Sequence, residues 1–191
     1  ESYSTIPSRF LAITHGVSAV GKSSVAMRLV ESLGAIRLRS DVIRKQLFGE
    51  QKTENAVGQG IYNADASVST YKKLHELAET VLRAGFPVVI DATYLKRDQR
   101  DAAASVAEST GVPCLILDCT APDAVIEGWL AHRQSEAKDP SDATLEVVRA
   151  QQTSREPLGA DEALRSKHVE THNSKSLDTL IADIRQRLPG L

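Results

Sequence analysis

The chain has 191 residues, 41% hydrophobic and 25% charged, with 23 Lys plus Arg against 25 Asp plus Glu and a formal net charge of −2. At roughly 100–200 residues per domain this is one globular domain with its own core, and the recurrent Val, Ile and Leu exclude a disordered chain. Near-neutral charge excludes nucleic-acid binding by bulk electrostatics, and no apolar run approaches the ~20 residues of a membrane span.

No signal peptide opens the chain, and Cys114 and Cys119 fall in or beside one apolar run, the pattern of buried thiols in a reducing, cytoplasmic compartment. The first residue is Glu1 and not Met, as expected of a processed or excised piece of a longer protein. Phe10–His15 (FLAITH) reads as a short buried strand, followed by a Gly-containing turn and a helix over Lys22–Leu33. Ala35–Arg39 reads as a second strand and Asp41 to about Phe48 as a short helix. Gly49–Gly60 is polar and Gly-bounded, the signature of a surface loop. A long helix is predicted over Ala64–Ala84, with Val68, Tyr71, Leu74, Ala78, Val81 and Leu82 on one face and Gly85 and Pro87 as its stop signal.

Val88–Asp91 is then a strand, Arg97–Thr110 a helix, Cys114–Asp118 a strand and Asp123–Ala137 a helix. Lys138–Ser141 breaks the pattern, a helix resumes near Asp142, His168–Thr171 is a weak strand, and Leu177–Leu188 closes the chain as an amphipathic helix. This alternation implies a parallel sheet with helices on both faces, whose ligands sit at the carboxyl ends of the strands.

The most specific signal is Gly16-Val17-Ser18-Ala19-Val20-Gly21-Lys22-Ser23, which matches GxxxxGK[ST] between a predicted strand and a predicted helix. In this motif the glycines let successive N–H groups turn inward onto a polyphosphate, and the helix adds its positive N-terminal end. Gly16, Ser18, Ala19, Val20, Gly21, Lys22, Ser23 and Ser24 are therefore the predicted ATP cradle, with Lys22 reaching the β- and γ-phosphates and the Ser23 hydroxyl a Mg²⁺ ligand. The competing explanation is a Gly-rich turn that only starts a helix. An NKxD guanine-reading motif is absent, and Asp91 and Asp118 are followed by Ala92 and Cys119, not the catalytic Glu of an ATP-driven machine. A small-molecule or polymer kinase is the leading expectation.

Leu38-Arg39-Ser40-Asp41-Val42-Ile43-Arg44-Lys45, Val88–Thr93 and Ser141-Asp142-Ala143 resemble the P-loop kinases related to zeta toxin, with chloramphenicol phosphotransferase and polynucleotide kinase as more distant relatives. The chain is most similar to the ATP-binding domain at the C-terminal end of bifunctional aminoglycoside phosphotransferase/ATP-binding proteins. The resemblance runs from about Phe10 to the closing helix. It implies a three-layer α/β P-loop NTPase fold, with a five-stranded parallel sheet of nucleoside-monophosphate-kinase type and a lid over residues 133–143. Residues 1–9 would be an extension or linker, and an N-terminal phosphotransferase-like domain a possible fusion partner in the parent protein.

The resemblance also implies roles. Asp41 would face the acceptor and take its proton, although Asp is also favoured as a helix N-cap. Arg44, one helical turn on, would hold the acceptor or the transferring phosphate, or else pair with a surface acid. Asp91 would hold the Mg²⁺ shell, with Asp118 as competitor. Thr93, Arg97 and Arg100 would line the acceptor cleft, against the alternative that both arginines form a solvated face with Asp98 and Asp101. Arg133 would close over the γ-phosphate, or is one more exposed helix Arg.

Two departures stand out: Glu127 and Trp129 where relatives carry a second Arg, and Ala19 and Val20 where small Gly and Ser are commoner. The expected activity is γ-phosphoryl transfer from ATP·Mg²⁺ to a hydroxyl of an unidentified small molecule. The alternatives are a nucleotide-binding regulatory module of a larger protein, or a kinase of nucleic acid 5′-hydroxyls. His15 and His75 are read as packed or boundary residues, Tyr71 as core and Tyr62 as core or acceptor lid.

Overall fold

The computed structural model describes residues 8–49, 60–136 and 144–188, with side chains for all of these but 60–63 and 133–136. Five strands form one sheet: β1 (Leu11–His15), β2 (Ile36–Arg39), β3 (Val88–Asp91), β4 (Cys114–Thr120) and β5 (Ser166–Glu170), in the order β2-β3-β1-β4-β5. Every neighbouring pair is parallel. β1 is central and all five of its residues are buried, which explains the apolar stretch that continues from Phe10 through Ile13.

Side chains alternate between the two faces of each strand, and this divides the core in two. Phe10, Ala12, Val89, Leu115, Leu117 and Val169 point to one side, where they meet Val25, Ala26 and Leu29 of α1 (Lys22–Leu33) and Leu180, Ile181 and Ile184 of α8 (Ser174–Arg187). Leu11, Ile13, Val88, Ile90 and Ile116 point to the other, against Leu74, Ala78 and Leu82 of α3 (Gly60–Arg83) and Ala103 and Ala107 of α4 (Arg97–Thr110). The result is a three-layer α/β sandwich. The i, i+4, i+8 stripe of α3 carries much of the second layer, and truncating a buried Leu such as Leu74 costs about 2–5 kcal/mol.

Several boundaries differ from the sequence expectation. α3 begins at Gly60, α2 (Ser40–Phe48) at Ser40, and β5 two residues earlier than the His168–Thr171 pattern suggests. α6 (Leu145–Ser154) starts where the Thr144 hydroxyl accepts the Val147 N–H, and α8 where Asn173 Oδ1 accepts the Lys175 N–H. A one-turn helix, α7 (Ala160–Ala163), escaped the sequence reading, as four residues carry no periodicity. α5 (Asp123–Glu136) lies within its predicted span. The predicted loop between Gly49 and Gly60, most of the 1–9 extension and most of the 133–143 lid lie outside the described residues. Among the described residues no helix is long and apolar enough to cross a membrane.

Candidate active site

The loop from Gly16 to Gly21 leaves β1 at its carboxyl end and feeds α1. Gly16 has φ 146° and a Cβ there would lie 2.7 Å from the Cys119 carbonyl oxygen; Gly21 has φ 90° and a Cβ would lie 2.9 Å from Thr171. Both positions exclude a side chain by conformation and by space. Ala19 also takes the left-handed region, at φ 61°, where a Cβ costs about 1–2 kcal/mol. Val20 is 2% exposed, so its isopropyl group belongs to the core. The unusual interior of the motif thus combines one strained and one packed residue.

The loop is tied down from four directions. Gly16 N–H donates to Thr93 O at 3.0 Å, and the Thr14 hydroxyl donates to Ala92 O at 2.7 Å, fixing it to the end of β3. The Thr171 hydroxyl donates to Val20 O at 2.5 Å from the end of β5. Ser18 N–H donates to Gln151 Oε1 at 2.6 Å, and Lys22 Nζ to Val17 O at 2.6 Å, back across the loop. Ser24 lies in the first turn of α1, its N–H bonded to Gly21 O at 3.1 Å.

Beside the loop, Ser23 Oγ donates to Asp91 Oδ2 at 2.9 Å. The same oxygen accepts Arg37 Nε at 3.0 Å and Arg37 Nη2. A hydroxyl and a carboxylate are the hard oxygen donors that suit Mg²⁺, so this pair fits that ion. Asp118 occupies the opposite face. It pairs in register with His15, faces His15 Nε2 at 3.9 Å and His168 Nδ1 at 3.6 Å, and belongs to the side of the sheet away from α1. Strand alternation therefore separates the two aspartates and puts Asp91 alone with the cradle.

At the end of β2, Asp41 Oδ1 accepts Arg39 Nε at 3.1 Å and the Val42 N–H at 2.9 Å, while Oδ2 accepts Arg39 Nη2 at 2.5 Å. Asp41 is in the first turn of α2 and not at its cap. Three donors use three of the roughly four acceptor positions of a carboxylate, leaving one on Oδ2 for a hydroxyl. Arg44 is exposed on the same helix, and its charge acts on the Tyr71 phenol.

Tyr71 joins α3 to the loop after β3. Its hydroxyl lies 3.2 Å from Thr93 Oγ1 and accepts the Tyr94 N–H at 3.0 Å. Burial pushes the Tyr71 phenol pKa up, against the lowering effect of the Thr93 hydrogen bond. Tyr94 is fully buried with φ 47°, a strained conformation for an aromatic residue, and its hydroxyl meets His75 Nε2 at 3.0 Å. His15 Nδ1 lies 3.0 Å from Tyr94 O; His15 is buried as a packed strand-end residue, and desolvation lowers its pKa.

Two expected cleft residues are elsewhere. Arg100 is fully buried: Nε donates to Glu162 Oε1 at 2.7 Å, Nη2 to Glu162 Oε2 at 3.1 Å, and Nη1 to Tyr94 O at 3.1 Å. It lies on the stripe of α4 that also buries Ala103 and Ala107, so it props the loop after β3 from beneath and lines no cleft. Arg97 points outward to Asp101 (Nε–Oδ1 2.9 Å) and Asp161 (Nη1–Oδ1 3.1 Å), an ion-paired surface residue. Thr93 remains beside the site. Arg133 lies in α5, but its side chain, like that of Tyr62, is outside the described residues.

Sequence reasoning missed Arg37, Gln151, Tyr94 and Thr171. None belongs to a local motif; each reaches the site from a different element.

Against known proteins, residues 11–158 match the AAA_33 family profile, described as an AAA domain. The chain belongs to this family. Uncharacterized proteins of Mycobacterium tuberculosis and Mycobacterium bovis are 29% identical over 143 residues, 73% of this chain. The chain spans only 28% of the length of these curated relatives. Among solved structures, a sugar kinase from Janibacter superposes with TM-score 0.69 at 18% identity, covering 96% of this chain and 97% of that one. A gluconokinase from Sinorhizobium meliloti gives 0.67 at 19% identity, with 96% of each chain covered. The Mycobacterium tuberculosis APS kinase in complex with AMPPNP and APS gives 0.63 at 18% identity, over 94% and 97%. The fold of this AAA-domain chain is therefore the three-layer α/β P-loop NTPase fold.

Proposed function

We propose that this chain is an ATP-dependent kinase that transfers the γ-phosphoryl group to a hydroxyl of a small-molecule acceptor. The observation that carries the reading is the 2.9 Å bond from Ser23 Oγ to Asp91 Oδ2 beside the Gly16–Lys22 loop. Loop amides and Lys22 hold the phosphates, and Ser23 with Asp91 holds Mg²⁺, which when bound neutralises phosphate charge. The acceptor hydroxyl sits between Asp41, Arg44 and Thr93. Its oxygen forms the new bond to phosphorus, the bond to the β-phosphate oxygen breaks, and the proton passes to the remaining lone pair of Asp41. Arg133 is the candidate to cover the transferring group. The kinases named among the similar folds support this reading of the reaction class.

A second reading is a nucleotide-binding regulatory module within a larger, fused protein. It is favoured by the short share of the curated relatives that the chain spans and by the engagement of both carboxylates, Asp91 by Arg37 and Asp41 by Arg39. A nucleic acid 5′-hydroxyl acceptor is disfavoured by the net charge of −2.

The experiment is γ-phosphate transfer from labelled ATP·Mg²⁺ across aminoglycosides, sugars, nucleosides, nucleotide-sugars and 5′-hydroxyl oligonucleotides. Lys22→Ala and Asp41→Asn serve as controls. Labelling of one acceptor that both variants abolish establishes the kinase. Lys22-dependent ATP binding with no acceptor labelled favours the regulatory module.

A further inference from the structure

α6 packs beside the cradle and sends Gln151 into its mouth, where Oε1 accepts the Ser18 N–H at 2.6 Å from 133 residues away. That contact fixes the carboxamide's orientation, because a backbone N–H is met by the amide oxygen and not by its nitrogen. Nε2 is thereby left as the carboxamide's donor, and it takes no acceptor among the described residues.

The place of the contact decides what Nε2 faces. Ser18 follows Val17, whose carbonyl accepts Lys22 Nζ at 2.6 Å. Val17 O and Ser18 N–H belong to one trans peptide unit and point from its opposite edges, so Lys22 and Gln151 hold the same limb of the loop from its two sides. Lysine in this motif reaches the β- and γ-phosphates, so this limb borders the terminal-phosphate end of the cradle. With Ser18 N–H committed to Gln151, the amides from Ala19 onward are left to hold the inner phosphates. A carboxylate at position 151 would satisfy Ser18 equally but would repel the nucleotide. A carboxamide supplies an acceptor to the loop and a neutral donor to an anion.

We propose that Gln151 binds the γ-phosphate: Oε1 holds the Ser18 limb in place while Nε2 donates to the terminal phosphate, so that the site distinguishes a nucleoside triphosphate from a diphosphate. This rests on the ATP reading above and refines it. The helix does not depend on the contact. Val148 anchors α6 in the core at 2% exposure, and Gln152 Nε2 donates to Asp123 Oδ1 at 3.1 Å, so substitutions at 151 leave the fold in place.

The test is calorimetric titration with ATP and with ADP, in Mg²⁺, of wild type, Gln151→Met, Gln151→Ala, Gln151→Glu, Gln152→Ala and Lys22→Ala, with circular dichroism confirming each fold. Met and Ala are expected to weaken ATP about tenfold, the worth of one hydrogen bond to a charged group, and ADP by less than about threefold. Glu keeps an oxygen for Ser18 and weakens ATP further, whereas Gln152→Ala leaves both nucleotides unchanged. An ATP-to-ADP affinity ratio that stays at the wild-type value in whichever of Met and Ala folds overturns the inference, whatever the absolute affinities do. Lys22-dependent binding of both nucleotides with an unmoved ratio overturns this inference alone. Wild type that binds neither nucleotide overturns the ATP reading with it.

Discussion

Arg37 and Asp91 sit on adjacent strands, β2 and β3, and the arginine places both Nε (3.0 Å) and Nη2 on the one carboxylate oxygen that also receives the Ser23 hydroxyl. Both side chains are largely buried, at 16% and 8% exposure, so little solvent screens the pair. Arg37 therefore aims the carboxylate and at the same time dilutes the negative charge it presents to a cation. Removing it has a sign that can be read. Arg37→Gln is expected to raise the affinity of the ADP-bound protein for Mn²⁺ by about three- to tenfold, on the order of 1 kcal/mol. Asp91→Asn lowers that affinity in the same electron-spin-resonance titration. A fall in both variants would mean that Arg37 serves only to orient the carboxylate.

The two aspartates of β3 and β4 make a second, sharper comparison. Asp91 shares the face of α1 and bonds Ser23, whereas Asp118 lies on the other face between His15 and His168. Asp91→Asn and Ser23→Ala are each expected to lower phosphoryl transfer by about two orders of magnitude, as loss of one electrostatic contact to a developing charge does. Asp118→Asn is expected to stay within about twofold of wild type. Initial rates at saturating ATP, once an acceptor is known, decide the comparison.

Arg100 and Glu162 form a fully buried ion pair that holds the loop after β3 to α7. Removing one partner strands the other charge in the interior, at a cost of about 3–5 kcal/mol. Glu162→Gln and Arg100→Met should each show that loss in urea unfolding, while Arg100→Met/Glu162→Leu recovers most of it. A double variant as unstable as either single one would show that Arg100's bonds to Tyr94 O (3.1 Å) and Pro157 O (3.3 Å) matter more than its charge.

How much of this was legible in the sequence follows from the range of each interaction. The cradle is contiguous, and its glycines are demanded by local backbone geometry, so Gly16–Ser23 could be read directly. So could the sheet, since the apolar stretches Leu11–Ile13, Val88–Ile90 and Leu115–Leu117 of β1, β3 and β4 are buried on both faces. Asp91 and Asp118 looked alike because both close an apolar run in the sequence, although β4 continues past Asp118 to Thr120; only the pairing register reveals that they face opposite layers. Arg100 was misread for a related reason. Asp98 and Asp101 lie close in sequence, whereas its true partner is 62 residues away. The small residues Ala103 and Ala107 below it were the signal, marking that side of α4 as the buried one. Arg37 and Gln151 gave no sign at all, because their roles exist only once β2 and α6 are docked against the loop.

His75 gives the last expectation, and its direction can be worked out fully. Burial beside Tyr71 and Tyr94 lowers its pKa from 6.5 to about 4, so the ring is neutral in the folded protein at pH 7 and accepts or donates one hydrogen bond with the Tyr94 hydroxyl at 3.0 Å. In the unfolded chain the same ring takes up a proton as pH falls through 6.5. Between 6.5 and about 4 the unfolded state thus binds a proton that the folded state refuses, and stability declines across that window. About 1–2 kcal/mol is expected to be lost between pH 7 and pH 5 from this group. Buried His15, whose pKa is also lowered by desolvation, adds a loss in the same direction. Glu162 contributes below its ordinary value of 4.5: burial would raise its pKa, but Arg100 holds it lower, so its stabilisation disappears only at more acid pH. Urea unfolding of wild type and His75→Gln at pH 7 and pH 5 separates these terms. The glutamine keeps a polar partner for Tyr94 and removes the titration, so its loss over the two pH values should be smaller than that of wild type by the His75 share. Equal losses in both proteins would mean that His75 is solvated enough to titrate normally, and the aromatic cluster beneath the acceptor side would then be open to water.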